Sequence, residues 1–290
     1  MISVLRLGSA TALFMTAAIV GHLLNGPAAT AGTSSLLTDI AQTRGTVEFP
    51  NDSALRVLPA QADGCPVEMT ASARGAALVR LSVDAPCRAG ERLTVQHEAL
   101  SFTVTLDDDG RAASEVPALA ADAVFFAFFD DTEGAMAEIR MPEVILFERA
   151  GLMWEGEGGL SLHASEYGAA FGEQGYVWSG SPRSSTRAIL GDGGFLTRLG
   201  DGLGEGAQMA EVYTFPAGTA PQAGTVELDV EASYGPGACG RDAVATAFRA
   251  RGTEVSLTPV TVTLPDCDTA RQGGFVRLNQ ALEPITLVGD

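Results

Sequence analysis

Leu100-Ser101-Phe102-Thr103-Val104-Thr105-Leu106 alternates apolar and polar side chains at every step. A period of two puts alternate side chains on opposite faces of an extended chain, so this stretch reads as a half-buried strand. The same alternation runs through Val79–Val83 and Arg92–Gln96. Asp107-Asp108-Asp109-Gly110 follows with residues that accept positive φ, which predicts a hairpin turn. Ala123–Phe129 is apolar throughout, as suits a central strand covered on two faces, and Asp130–Gly134 ends it with a polar turn before a further strand at Met136–Met141. Short strands punctuated by Gly, Pro and Asp predict an all-β fold of sandwich type.

Beyond residue 150 glycine becomes dense, and Trp154, Tyr167, Phe171, Tyr176 and Trp178 are spread among short strand patterns, of which Leu160–Ala164 is the clearest. Strand patterns return at Thr225–Val230, Thr253–Leu257, Val260–Leu264 and Phe275–Leu278. Val244, Ala247 and Phe248 would share one face of a short helix over Ala243–Arg251. The expected architecture is two β-sandwich-like domains with Gly-rich turns and little helix. One is an N-terminal sandwich over 32–149 and the other a Gly-rich β domain over 150–290.

Residues 1–31 read as a signal peptide. Arg6 precedes the uncharged apolar stretch Leu7–Leu24, and Gly26-Pro27 breaks it before the small residues of Ala29-Thr30-Ala31. An uncleaved signal anchor is the alternative, since the stretch is close to the ~17–25 residues that span a bilayer, although Gly8, Gly21 and His22 dilute it. After cleavage no stable membrane span remains. The expected location is exported, periplasmic or extracellular.

That compartment favours disulfides among Cys65, Cys87, Cys239 and Cys267. Three pairings are possible. The local pairs Cys65–Cys87 and Cys239–Cys267 are expected because each brackets a strand-like segment. A formal charge of −18, with every basic residue an Arg, excludes nucleic acid as a partner, because such binding needs clustered cations on phosphates. The expected partner is a protein or glycan of the cell envelope.

The run from Leu160-Ser161-Leu162-His163 to Tyr167-Gly168-Ala169, with Gly172-Glu173-Gln174-Gly175-Tyr176-Val177-Trp178, resembles a stretch in a group of exported bacterial β-rich proteins, some labelled translocase. Val116–Leu119, Tyr213–Pro216 and Val276–Gln280 fit the same resemblance, which extends over most of residues 32–290. It implies an exported β-rich protein and no particular activity. The translocase label finds no support in the residues, because there is no Gly-rich phosphate loop ending in Gly-Lys.

Candidate chemistry is sparse. His163 and Glu166 form the sharpest pair: a carboxylate orienting the imidazole would leave one ring nitrogen for general base work, with Asp192 or Asp201 joining in one cleft. No Gly-x-Ser-x-Gly elbow occurs, and His97-Glu98 reads as a strand end. Residues 32–290 hold only two histidines, too few for a three-histidine zinc site. Asp107 and Asp109, with Asp130 and Asp131, are calcium candidates whose spacing departs from the EF-hand loop. Gly191–Gly194 and Gly202–Gly206 lack the strand and helix of a nucleotide site, so no cofactor is expected. Trp154, Tyr167, Tyr176 and Trp178 are candidates for an aromatic binding platform. The leading expectation is a non-catalytic binding or structural protein; the alternative is a hydrolase of envelope glycan or peptide working through His163 and Glu166.

Overall fold

Seventeen strands carry the described chain in this computed structural model, which describes residues 66–288 except 132, 157–158, 221, 253 and 269–272. The expected signal peptide and Cys65 lie outside the described residues. In order the strands are β1 (Glu68–Arg74), β2 (Leu78–Asp84), β3 (Arg92–His97), β4 (Leu100–Thr105), β5 (Arg111–Pro117), β6 (Asp122–Phe128), β7 (Gly134–Arg140), β8 (Glu148–Glu155) and β9 (Leu160–Glu166). There follow β10 (Tyr176–Val177), β11 (Phe195–Leu199), β12 (Gln208–Phe215), β13 (Gly224–Tyr234), β14 (Asp242–Arg251), β15 (Glu254–Thr263), β16 (Gly274–Leu278) and β17 (Ile285–Leu287). One α-helix, α1 (Ser185–Ile189), interrupts them.

The strands form four antiparallel sheets, ordered β1-β2-β5, β4-β3-β6-β7, β11-β12-β8-β14-β15 and β10-β9-β13-β16, with β17 also on β13. The all-β sandwich-like expectation holds. Two hydrophobic cores lie among the sheets, and the third sheet contributes to both. Its Ala150, Leu152, Trp154, Tyr213, Phe215 and Ala247 enter the core shared with the fourth sheet. Its Ala210, Val212, Phe248 and Ala250 join the core of the first two sheets. The expected boundary near residue 150 falls inside β8, the middle strand of that sheet.

Three local expectations need correction. Ala243–Arg251 is strand, not helix: β14 pairs with β8 and β15, and alternate residues Ala245/Ala247 and Phe248/Ala250 enter different cores. Val244 is 64 % exposed, so the supposed helical face does not exist. Small Ala side chains suit both periods, and tertiary pairing decides between them. Phe248 lies across Gly151, where a Cβ would come within 2.0 Å of its ring.

The Asp107–Gly110 turn forms, closed by Gly110 N donating to Asp107 O at 2.9 Å, but it makes no hairpin. β4 pairs with β3 whereas β5 pairs with β2, so the turn carries the chain between sheets. Finally, β6 is central but covered on one face only: Phe125 is fully buried while Phe126 is 47 % exposed.

Cys239 and Cys267 are bonded, closing the open end of the β14–β15 hairpin beyond its Asp242–Thr263 pair. Cys87 is also disulfide-bonded. No helix among the described residues is long and apolar enough to cross a membrane.

Candidate binding face

β9 alternates strictly, so side chains three residues apart face opposite ways. Leu160, Leu162, Ala164 and Glu166 are buried on the core side, and His163 lies on the other. The His163–Glu166 pair expected from sequence is therefore not formed. Glu166 instead fastens the loops around α1. Its Oε1 accepts from Gly194 N at 2.7 Å and from the Tyr213 hydroxyl at 2.8 Å, while Arg183 Nη1 donates to both oxygens at 2.9 Å. Burial, with this carboxylate beside it, pushes the Tyr213 phenol well above its ordinary range. The glycine run at 191–194 has a packing reason, since a Cβ on Gly194 would stand 2.4 Å from the Tyr213 hydroxyl. Asp192 pairs with Arg187, and Asp201 accepts from Thr105 N and Leu203 N, so neither joins His163.

A second buried carboxylate has a similar task. β10 is only two residues long, and the β9 edge at Leu162 extends beyond it. Glu211 on β12 supplies the acceptor, taking Leu162 N at 2.7 Å and the Ser161 hydroxyl at 3.2 Å. Burial pushes its carboxyl above the usual range.

His163 sits in a different setting. The ring is 1 % exposed, stacked on Trp178 at 5.4 Å between centroids with a 15° tilt, and its Nδ1 lies 2.9 Å from the Tyr176 hydroxyl. Phe171 packs on both aromatics, 5.3 Å from Tyr176 and 5.5 Å from Trp178. The other ring nitrogen, Nε2, has no hydrogen-bond partner among the described residues and stands 3.9 Å from Glu231 Oε1. Burial holds the imidazole below its ordinary pKa, against the pull of Glu231.

The rest of the face comes from the neighbouring strands. On β13, Val226, Leu228, Val230 and Ala232 enter the core, leaving Glu227, Asp229 and Glu231 on the outside. Asp229 is directly opposite His163 and accepts from Gln280 N at 2.8 Å. On β16, Arg277 stands opposite Glu231 and donates to its Oε2 at 2.7 Å. The Arg277 guanidinium lies 5.9 Å from the Tyr176 ring and 5.9 Å from the Phe275 ring. Phe171 and Phe275 are each 61 % exposed. The result is an outward surface of aromatic rings with an acid–arginine pair at its centre.

Of the four aromatics expected to form a platform, the structure brings together only Tyr176 and Trp178. Trp154 is core, and Tyr167, at φ +54°, lies over Gly224. Phe275, Glu231 and Arg277 are not singled out from sequence, and Phe171 stands there among the aromatics beyond residue 150 without a place in the platform. Acids alternating along a strand read as an ordinary solvated face, and only the β13–β16 register sets Arg277 against Glu231.

The remaining candidates have structural partners. His97 Nε2 accepts from Leu119 N at 2.7 Å, so its Nδ1 carries the proton and donates to Val124 O at 2.8 Å. Asp107 Oδ1 accepts from Asp109 N and Arg111 N, closing its own turn. Asp131, with Glu91 and Glu133, is taken up by the Arg88 guanidinium. Neither Asp109 nor Asp130 belongs to a metal-holding group: among the described residues no three His, Cys, Asp or Glu side chains converge as such a set.

No protein-family model matches the chain, and no curated protein does. Function must be argued from this face.

Proposed function

We propose that the protein is a non-catalytic binding module working outside the cytoplasm, and that the outer face of the β10-β9-β13-β16 sheet takes a glycan of the cell envelope. The observation that carries this reading is the pair of exposed rings, Phe171 and Phe275, flanking the Glu231–Arg277 pair. Cores of protein–protein interfaces are depleted in Asp and Glu, whereas here Asp229 and Glu231 lie on the patch beside Arg277. A sugar presents both C–H faces and hydroxyls. The first suit aromatic rings, and the second suit Asp229, Glu231 and Arg277. Nucleic acid and other polyanions meet a chain of charge −18. Export is supported by the leader pattern and by the disulfides.

The hydrolase reading is the weaker one, because the His163 ring is roofed by Trp178 and too buried to meet a polymer substrate. The test is a binding screen of the purified protein against neutral envelope oligosaccharides. Phe171→Ala and Phe275→Ala should each weaken capture by about tenfold, the scale of a ~1.4 kcal/mol contact. Retained binding in both variants overturns the assignment of the face. Cleavage of a captured glycan, lost in Glu231→Gln, would establish the enzyme instead.

A further inference from the structure

We infer that His163 is a proton-operated selector for the Glu231 carboxylate: protonating its ring draws Glu231 away from Arg277 and so alters the binding face. The inference rests on reading that face as the ligand site, and it names how the site is regulated.

At neutral pH the two oxygens of Glu231 have unequal partners. Oε2 is held by Arg277 Nη2 at 2.7 Å, while Oε1 is 3.9 Å from His163 Nε2 and outside hydrogen-bond reach. The imidazole carries one proton on two nitrogens. Nδ1 meets the Tyr176 hydroxyl, which serves as donor or acceptor, and Nε2 meets nothing among the described residues. A proton taken from solvent places N–H on both. The Tyr176 oxygen then accepts from Nδ1–H, and a charged Nε2–H is left without a partner, with the Glu231 carboxylate 3.9 Å away.

Water cannot answer that charge, because the ring is sealed beneath Trp178. The titratable and charged groups facing it are Tyr176 on β10, Asp229 and Glu231 on β13 and Arg277 on β16. Asp229 already accepts from Gln280 N, which leaves Glu231 as the group to move. The imidazolium repels Arg277 at the same time as it competes for the carboxylate. The Arg277 side chain is partly exposed and can turn to water. It would leave its position between the Tyr176 and Phe275 rings, where a ligand would meet it. Trp178 stays, since an imidazolium under an indole is a favourable cation–π arrangement. Burial places the transition on the acid side of the ordinary histidine range.

The test uses the full chain carrying Trp154→Phe, which leaves Trp178 as the reporter above His163. Its fluorescence and the NMR resonance of the Arg277 guanidinium are followed from about pH 8 to about pH 4, through the usual histidine range and below it. Both should change with one midpoint, with Trp178 emission falling as the imidazolium quenches it. His163→Gln should abolish both changes. Glu231→Gln should keep the Trp178 change and remove that of Arg277, which tests the inference even if His163→Gln fails to fold. An Arg277 resonance that stays constant, or that titrates unchanged in His163→Gln, overturns the selector. These readouts need no ligand, so a failed glycan screen removes the ligand assignment without touching them. Where a neutral oligosaccharide does bind, its affinity should fall by about tenfold on acidification, within the usual span of coupling between sites, and equal affinity throughout overturns the regulation.

Discussion

Glu166 and His163 stand three residues apart on β9, are both buried, and differ in what is left over. The Glu166 carboxylate meets a guanidinium, a phenol and a backbone amide, all within 2.9 Å. His163 has one nitrogen engaged and one unpaired, under a roof whose outer ring, Phe171, is open to solvent. A saturated polar group on the core side is a fastening. A group with spare hydrogen-bonding capacity beneath an exposed rim is one whose partners can change. His97 gives the comparison within one residue type, since both of its nitrogens are engaged.

The harshest way to break this comparison is Glu166→Ala. It leaves the Tyr213 hydroxyl and Gly194 N without an acceptor and Arg183 without its counter-charge, with only the Gly194 carbonyl at 3.4 Å, and should cost about 3–5 kcal/mol, the usual loss when one partner of a buried ion pair is removed. Urea unfolding measures it, and a loss under about 1 kcal/mol, the worth of one ordinary hydrogen bond, would refute the fastening. Next in size is the covalent fastening. Replacing Cys239 and Cys267 by Ser opens the β14–β15 hairpin and should cost about 3 kcal/mol on the loop-entropy model.

The two histidines sharpen the contrast at smaller scale. Each substitution removes one ring stack, on Phe125 or on Trp178, but His97→Gln disturbs two hydrogen bonds and should cost about 2 kcal/mol, whereas His163→Gln disturbs one and should cost about 1 kcal/mol. Equal losses would erase the distinction. Burial lowers both pKa values, so between the folded values and about 6.5 the unfolded chain binds more protons than the folded one. Stability should therefore rise with pH through that window and be lost as pH falls. Glu211 works oppositely above the ordinary carboxylate range, because its raised pKa makes the folded state the better proton binder there. Urea midpoints of each His→Gln variant, subtracted from the parent over pH, isolate the histidine part; a subtracted curve without upward slope would contradict neutral burial.

Strands with clean alternation are legible, whereas β8 and β12, buried or half-buried on nearly every residue, are not read from sequence. β3, β4, β9 and β13 begin within a residue of where the pattern puts them. What failed was what pattern does not carry. Ala243–Arg251 is apolar on two faces, so its period was ambiguous until β8 and β15 were placed beside it. The Asp107–Gly110 turn was legible as a turn, but the partner of the strand after it was not. The site failed for the same reason. The sequence pairs His163 with Glu166, yet its nearest carboxylate comes from β13, 68 positions along the chain rather than three. Cross-strand register is invisible in a window of ten residues.

The smallest expected effect is the most discriminating. Phe171 lies in the loop before β10, its ring edge-on to Tyr176 and tilted on Trp178, with most of its surface in water. An apolar ring held there contributes little by burial, so Phe171→Ala should change unfolding free energy by no more than about 0.5 kcal/mol, as surface substitutions do. Were Phe171 a plug for the His163 pocket, its loss would let water reach the imidazole, and stability would drop by more than that. A ring that can be deleted without loss of stability, beside a histidine that cannot reach solvent, is held in place for something outside the fold. Equal stability with weakened glycan capture would separate this rim from the core beneath it, as Glu166 and His163 are separated across one strand.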